Sequence, residues 1–156
     1  MANILVICTA NICRSPIAEG LIADRLNKQG LGDWVIHSAG TWADNDRPVT
    51  RYSAEVMQEE EGLDIFAHRA RMVTNEILSE ADLVLCMTKN HAESLRVEFH
   101  DQASKIYLLS QMVNNRRYDI SDPYGSAKPN YVRMYKQVKD LVEQGLPRMI
   151  ELVESQ

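Results

Sequence analysis

Cys8 and Arg14 stand with five residues between them, directly after the apolar run Ile4 to Ile7, in the stretch Cys8-Thr9-Ala10-Asn11-Ile12-Cys13-Arg14-Ser15-Pro16. A loop of that length can turn successive backbone N–H groups inward around one anion, and a helix starting behind it adds partial positive charge. Ser15 followed by Pro16 reads as an N-cap and a first helical residue, so the loop opens straight into a helix. The thiol then lies at the floor of the loop and the guanidinium at its rim. Such surroundings favour a thiolate, the nucleophilic form of cysteine. By itself a cysteine at a strand end is ordinarily a small buried hydrophobe. With arginine, serine and proline at these spacings, the pattern points to attack on a phosphoryl group.

The elements that must position this loop alternate in type. Residues 3–8 read as a short buried strand and 16–28 as an amphipathic helix with Ala18, Leu21, Ile22 and Leu26 on one side. A second strand is expected over 34–38 and a helix over 50–61, stopped by Gly62. A short helix over 74–80 precedes the apolar run 82–87, which has the character of a central parallel strand. A helix over 89–98, a strand over 106–109 and a last helix from Pro129 complete the chain. Gly145 and Pro147 are expected to kink or interrupt that helix. The alternation implies one α/β domain spanning 1–156, a parallel sheet with helices on both faces and ligands bound beyond the carboxyl ends of the strands.

Residues 110–128 have no clear periodicity, and compact domains rarely keep so long a connection without a use. This segment contains Asp122-Pro123-Tyr124. In a parallel sheet it leaves the same edge as the Cys8 loop, and it is placed to bring a carboxylic acid over the cradle.

Composition narrows the partners. Net charge is −5, so no global basic surface recruits nucleic acid or anionic membrane. Hydrophobic residues make up 45% of the chain, yet only short apolar runs occur, none near a membrane span, and the N-terminus has no signal-peptide pattern. Three cysteines, an odd count, argue against a secreted disulfide framework and for a reducing cytoplasm. Cys86 lies in an apolar strand and reads as core. Cys13 has two readings, a packing residue or a redox partner that captures oxidised Cys8 as a disulfide. No ligand spacing for a metal is evident, and no cofactor is needed. His37, His91 and His100 show no convincing partners and default to packing or surface.

Taken together these residues resemble the low-molecular-weight protein tyrosine phosphatases, whose signature is Cys-x-Gly-Asn-x-Cys-Arg-Ser-Pro with a distant Asp-Pro. The similarity runs along nearly the whole chain through Ala18-Glu19, Ser38-Ala39-Gly40-Thr41, His68 with Arg71, Leu85-Cys86-Met87 and Asp122-Pro123-Tyr124. It implies a four-stranded parallel sheet in the order 2-1-3-4. It also implies Cys8 as nucleophile, Arg14 as the phosphoryl-binding guanidinium and Asp122 as general acid. The loop Thr9, Ala10, Asn11, Ile12, Cys13 and Arg14 would bind phosphate. Ser15 would hydrogen-bond the thiolate, and Asn11 would join a supporting network with Ser15, Ser38 and His68. Ile12, Trp42 and Tyr124 would wall the substrate's ring. Ala10 departs from the signature's glycine, and a left-handed backbone there would cost an alanine ~1–2 kcal/mol.

The implied reaction is hydrolysis of protein phosphotyrosine, or of small aryl phosphates, through a cysteinyl-phosphate, with inorganic phosphate as product. Three alternatives share the fold. Phosphoarginine hydrolysis resembles a threonine at the position of Ile12. Arsenate reduction needs two further cysteines along a mobile segment, and none follows Cys86. A catalytically impaired phosphate-binding module is raised by Ala10 and opposed by intact Cys8, Arg14 and Asp122.

Overall fold

The computed structural model describes residues 2–156. Four parallel strands run in the order β2-β1-β3-β4, with β1 Asn3–Cys8, β2 Val35–Gly40, β3 Leu83–Cys86 and β4 Ile106–Leu108. The helices are α1 Arg14–Lys28, α2 Arg51–Glu61, α3 Asn75–Glu80, α4 Lys89–Glu98 and α5 Lys128–Glu154. Strand side chains alternate between the two sheet faces, so each strand feeds two cores. Ile4, Val6, Leu83 and Leu85 pack with Ile17 and Leu21 of α1, Val56 and Met57 of α2, and Val138 and Val142 of α5. Leu5, Ile7, Val84 and Cys86 pack with Leu78 of α3 and with Ala92 and Leu95 of α4. The central strand β1 is therefore buried on both faces, and its last residue, Cys8, emerges at the carboxyl edge opposite Gly40.

Gly40 is needed there. A Cβ at this position would come 2.3 Å from the Thr9 carbonyl, so only a glycine lets β2 close against the loop. The expected strand end at 38 thus moves to Gly40.

Two further sequence expectations change. Helix α1 begins at Arg14 with Cys13 as its N-cap, so Ser15 is not the cap and lies inside the first turn. Its hydroxyl is committed to Cys8 and Asn11 instead. Pro16 still costs nothing, because the first four N–H groups of a helix lack intrahelical partners. Helix α5 runs unbroken through Gly145 and Pro147. Gly145 is buried against Met112, whose Cβ lies 2.5 Å from where a Cβ of residue 145 would stand. Pro147 and Glu143, the residue whose carbonyl loses its partner, are both solvent-exposed, so water satisfies that oxygen.

Candidate active site

The loop from Cys8 to Arg14 points its carbonyls outward. The Cys8 carbonyl accepts from Thr41 N at 3.0 Å, that of Thr9 from Trp42 N at 2.9 Å and that of Ile12 from Thr50 N at 2.9 Å. His68 Nε2 bonds the Asn11 carbonyl at 2.7 Å, and Ser53 Oγ donates to that of Cys13 at 3.1 Å. In a trans peptide the N–H opposes the carbonyl. With the oxygens turned out, the following amides turn in, and among the described residues the N–H groups of 9–13 have no protein acceptor. The result is a concave nest of donors around Cys8, with the first turn of α1 aimed at the same point.

Asn11 fixes the shape. It carries φ +60°, in the left-handed region that asparagine tolerates better than most residues. Its Nδ2 donates to Ser15 Oγ at 2.8 Å and to Ser38 Oγ at 2.9 Å, while its Oδ1 accepts from Arg71 N at 3.0 Å. Ala10 is not among the residues of positive φ, so the strain expected for it does not arise. The sharp turn falls one residue later, on the asparagine. Ser15 Oγ lies 3.0 Å from Cys8 Sγ, and Ser38 Oγ donates to Glu19 Oε1 at 2.6 Å. Burial pushes the Glu19 carboxyl above its ordinary range, partly opposed by the Ser38 hydroxyl and by His68 and Arg71 nearby.

Arg14 is almost fully buried, and its Nη1 donates to the Ile120 carbonyl at 2.8 Å. Its Nη2 lies 3.4 Å from Thr9 Oγ1 and 3.6 Å from Asp122 Oδ2. The long connection that delivers Asp122 is pinned behind it. Ser110 Oγ bonds Tyr118 N and O, Asp119 Oδ1 accepts from Lys89 N, and Ile120 N donates to the Met87 carbonyl at 3.0 Å. Asp122 itself is half exposed, with Oδ1 held by Tyr124 N at 3.0 Å.

Cys8, Ile12, Cys13, Arg14, Asp122 and Tyr124 share one slot of about 180 Å³. The residue that joins them is Arg47. Its Nη2 donates to the Tyr124 hydroxyl at 2.7 Å and its guanidinium lies over the Tyr124 ring. Trp42 is placed elsewhere. It is 81% exposed and lines a neighbouring cavity of about 590 Å³ on the other side of Thr9 and Arg14. Cys13 is buried with Sγ 3.7 Å from the Tyr131 hydroxyl, and burial raises its pKa. Cys86 is enclosed in β3 and burial pushes its thiol up to about 12.

The chain matches the family model described as low molecular weight phosphotyrosine protein phosphatase over residues 3–156. It belongs to that family. A protein-arginine-phosphatase of Bacillus subtilis is 31% identical over 147 residues, covering 94% of this chain and 93% of that protein. The low molecular weight protein tyrosine phosphatase from T. tengcongensis superposes with a TM-score of 0.89 at 34% identity, covering 95% of this chain and 99% of that one. The YwlE arginine phosphatase, solved as a mutant with a phosphorylated active-site serine, gives a TM-score of 0.88 at 28% identity, covering 96% and 95%. The chain is thus a hydrolase of the protein-phosphatase kind, acting on phosphoproteins and releasing phosphate.

This low molecular weight phosphatase has site residues that its sequence did not flag. Glu19 and Arg71 were visible only as parts of the resemblance, and Arg47 and the Ile120 carbonyl not at all. His91 is expected from sequence only in packing or at the surface, but its Nε2 lies 2.8 Å from Thr9 Oγ1, beside the cradle. A local motif could not have found it, since 82 residues separate the pair. Among the described residues no three His, Cys, Asp or Glu gather as a metal site, and no helix is long and apolar enough to cross a membrane.

Proposed function

We propose that this chain, acting as one catalytic domain over residues 1–156, hydrolyses phosphotyrosine in proteins, with Cys8 as nucleophile, Arg14 as oxyanion clamp and Asp122 as proton donor. The observation that carries this reading is the convergence of those three side chains on a single slot of about 180 Å³ above an inward nest of N–H groups. Charge on the transferring phosphoryl group is spread over three oxygens, so catalysis is chiefly positioning and electrostatic stabilisation. The loop amides and the Arg14 fork receive those oxygens. Cys8 Sγ attacks phosphorus, an S–P bond forms, and the P–O bond to the phenol breaks as Asp122 gives that oxygen its proton. Ser15 Oγ, at 3.0 Å from Sγ, donates to the sulfur when it leaves again. In the second step Asp122 takes a proton from water, the water oxygen attacks phosphorus and inorganic phosphate departs. The phosphorylated active-site serine of the YwlE mutant supports a covalent intermediate at this position.

The relatives alone do not choose between leaving groups, since tyrosine and arginine phosphatases lie at similar identities. Ile12 favours tyrosine. Its side chain lines the slot and is almost fully buried, and it has no atom that can hydrogen-bond a guanidinium. Its branched apolar surface and the Tyr124 ring suit a phenyl group. The three cysteines are free and buried, which supports work in a reducing cytoplasm. Comparing kcat/KM on phosphotyrosine, phosphoarginine and phosphoserine peptides tests the reading. Phosphotyrosine should lead, phosphoserine should hardly react, and Ile12→Thr should move the balance toward phosphoarginine. A wild-type preference for phosphoarginine overturns the tyrosine assignment.

A further inference from the structure

His91 is 6% exposed, on the first turn of α4, and makes one side-chain hydrogen bond, to Thr9 Oγ1. Its Nδ1 is buried without a partner among the described residues. An orphaned buried nitrogen is unfavourable and calls for a physical reason. Packing does not supply one, because a leucine or phenylalanine would fill the space without an orphan. The reason lies on the other side of Thr9, where Arg14 Nη2 approaches the same hydroxyl oxygen at 3.4 Å.

A hydroxyl has one hydrogen and two lone pairs. If its hydrogen pointed at Arg14, it would face a guanidinium that can only donate, and the contact would be repulsive. If His91 Nε2 accepts that hydrogen, both lone pairs are free for Nη2. This requires a neutral ring with its hydrogen on Nδ1. The surroundings keep it neutral: burial and the nearby Arg14 hold the His91 pKa down at about 4, with Asp119 and Asp122 opposing weakly.

We propose that His91 is a positioning residue, whose Nε2 takes the Thr9 hydroxyl hydrogen so that Thr9 Oγ1 accepts from Arg14 Nη2 and holds the guanidinium turned into the phosphate cradle. The Ile120 carbonyl fixes the other arm of the fork, Nη1, at 2.8 Å. The two acceptors lie on different arms, so together they limit both tilt and rotation of a group that must meet two phosphoryl oxygens at once. His91 touches no reacting atom and acts only through Thr9.

This inference rests on the reading that Arg14 binds the phosphoryl oxygens, and the test separates the two. Inorganic phosphate binding is measured by calorimetry, alongside KM and kcat on para-nitrophenyl phosphate and on a phosphotyrosine peptide, for wild type, His91→Phe, Thr9→Val, the double variant, His91→Gln and Thr9→Ser. His91→Phe and Thr9→Val should each weaken phosphate binding about tenfold, with kcat altered less than KM. The double variant should be no weaker than either single one, because both break the same relay. His91→Gln, which keeps an acceptor near the Nε2 position, and Thr9→Ser should restore most of the binding. Additive losses in the double variant, or no rescue by glutamine, would overturn the relay. Wild type that binds phosphate yet turns over no phosphotyrosine would overturn the proposed substrate and leave the relay readable in the binding ratios. Wild type that binds no phosphate would overturn both.

Discussion

The phosphate loop and the segment that carries Asp122 meet over the same slot but are held in opposite ways. Residues 9–13 are locked from outside by bonds to the carbonyls of Thr9, Asn11, Ile12 and Cys13, and from below by the buried Asn11, Ser15 and Ser38, which lead on to Glu19. The Asp122 segment is pinned at 118–120, behind the acid, while Asp122 is half exposed with one oxygen free of backbone bonds. The difference suits the proposed chemistry. Donors that bind an anion through a charged transition state gain most from being fixed in advance. A group that gives a proton and then takes one from water must keep solvent access and some freedom to turn.

Removing the proposed nucleophile from the fixed loop should have the largest effect. Cys8→Ser should abolish turnover on para-nitrophenyl phosphate while phosphate or vanadate binding is largely kept, since the nest of amides and Arg14 remain. Appreciable steady-state activity in that variant would remove Cys8 from its assigned role. Changing the half-exposed acid should do less. Asp122→Asn should lower turnover by roughly 10²–10⁴, the usual size of a general-acid contribution. The loss should shrink for aryl phosphates with more acidic leaving groups, whose oxygens need less protonation. A loss that is the same for every leaving group would mean that the segment, rather than the proton, has been disturbed.

The same contrast explains what could be read from the amino-acid sequence. Alternating strand and helix patterns located the four strands and the five α-helices, because apolar runs such as 83–87 record burial on both sheet faces directly, while the short 3-10 turns at His100–Lys105 and Leu109–Met112 left no such pattern. Asp122 was legible as the one acid-proline pair in a connection too long for its task. What escaped were arrangements set by space rather than by neighbours in the chain. Ser15 looks like an N-cap until the Cys8 sulfur and Asn11 claim its hydroxyl. Pro147 looks like a helix stop until its place on the solvent face is known. Ala10 looks strained until the left-handed turn is found on Asn11. Trp42, a plausible aromatic wall two residues past Gly40, lines the neighbouring cavity, and Arg47 takes the place beside Tyr124.

The finest test of the comparison asks whether the loop's rigidity comes from its backbone or from the network beneath it. Asn11 supplies both, a tolerated φ of +60° and three hydrogen bonds through its side chain, two of them fully buried. Asn11→Gly keeps the backbone freedom and removes the bonds, leaving the hydroxyls of Ser15 and Ser38 and the Arg71 N–H short of a partner. Leaving buried groups unsatisfied costs ~1–3 kcal/mol each and is not additive, so a loss of about 2–4 kcal/mol is expected by denaturant unfolding. Asn11→Ala should lose a further ~1 kcal/mol or so, the strain of alanine in the left-handed region. Asp122→Asn, at a half-exposed position, should change stability by less than ~0.5 kcal/mol. If Asn11→Gly unfolds at the wild-type denaturant concentration, the polar chain is not what holds the cradle, and the rigidity must reside in the outward carbonyl bonds alone.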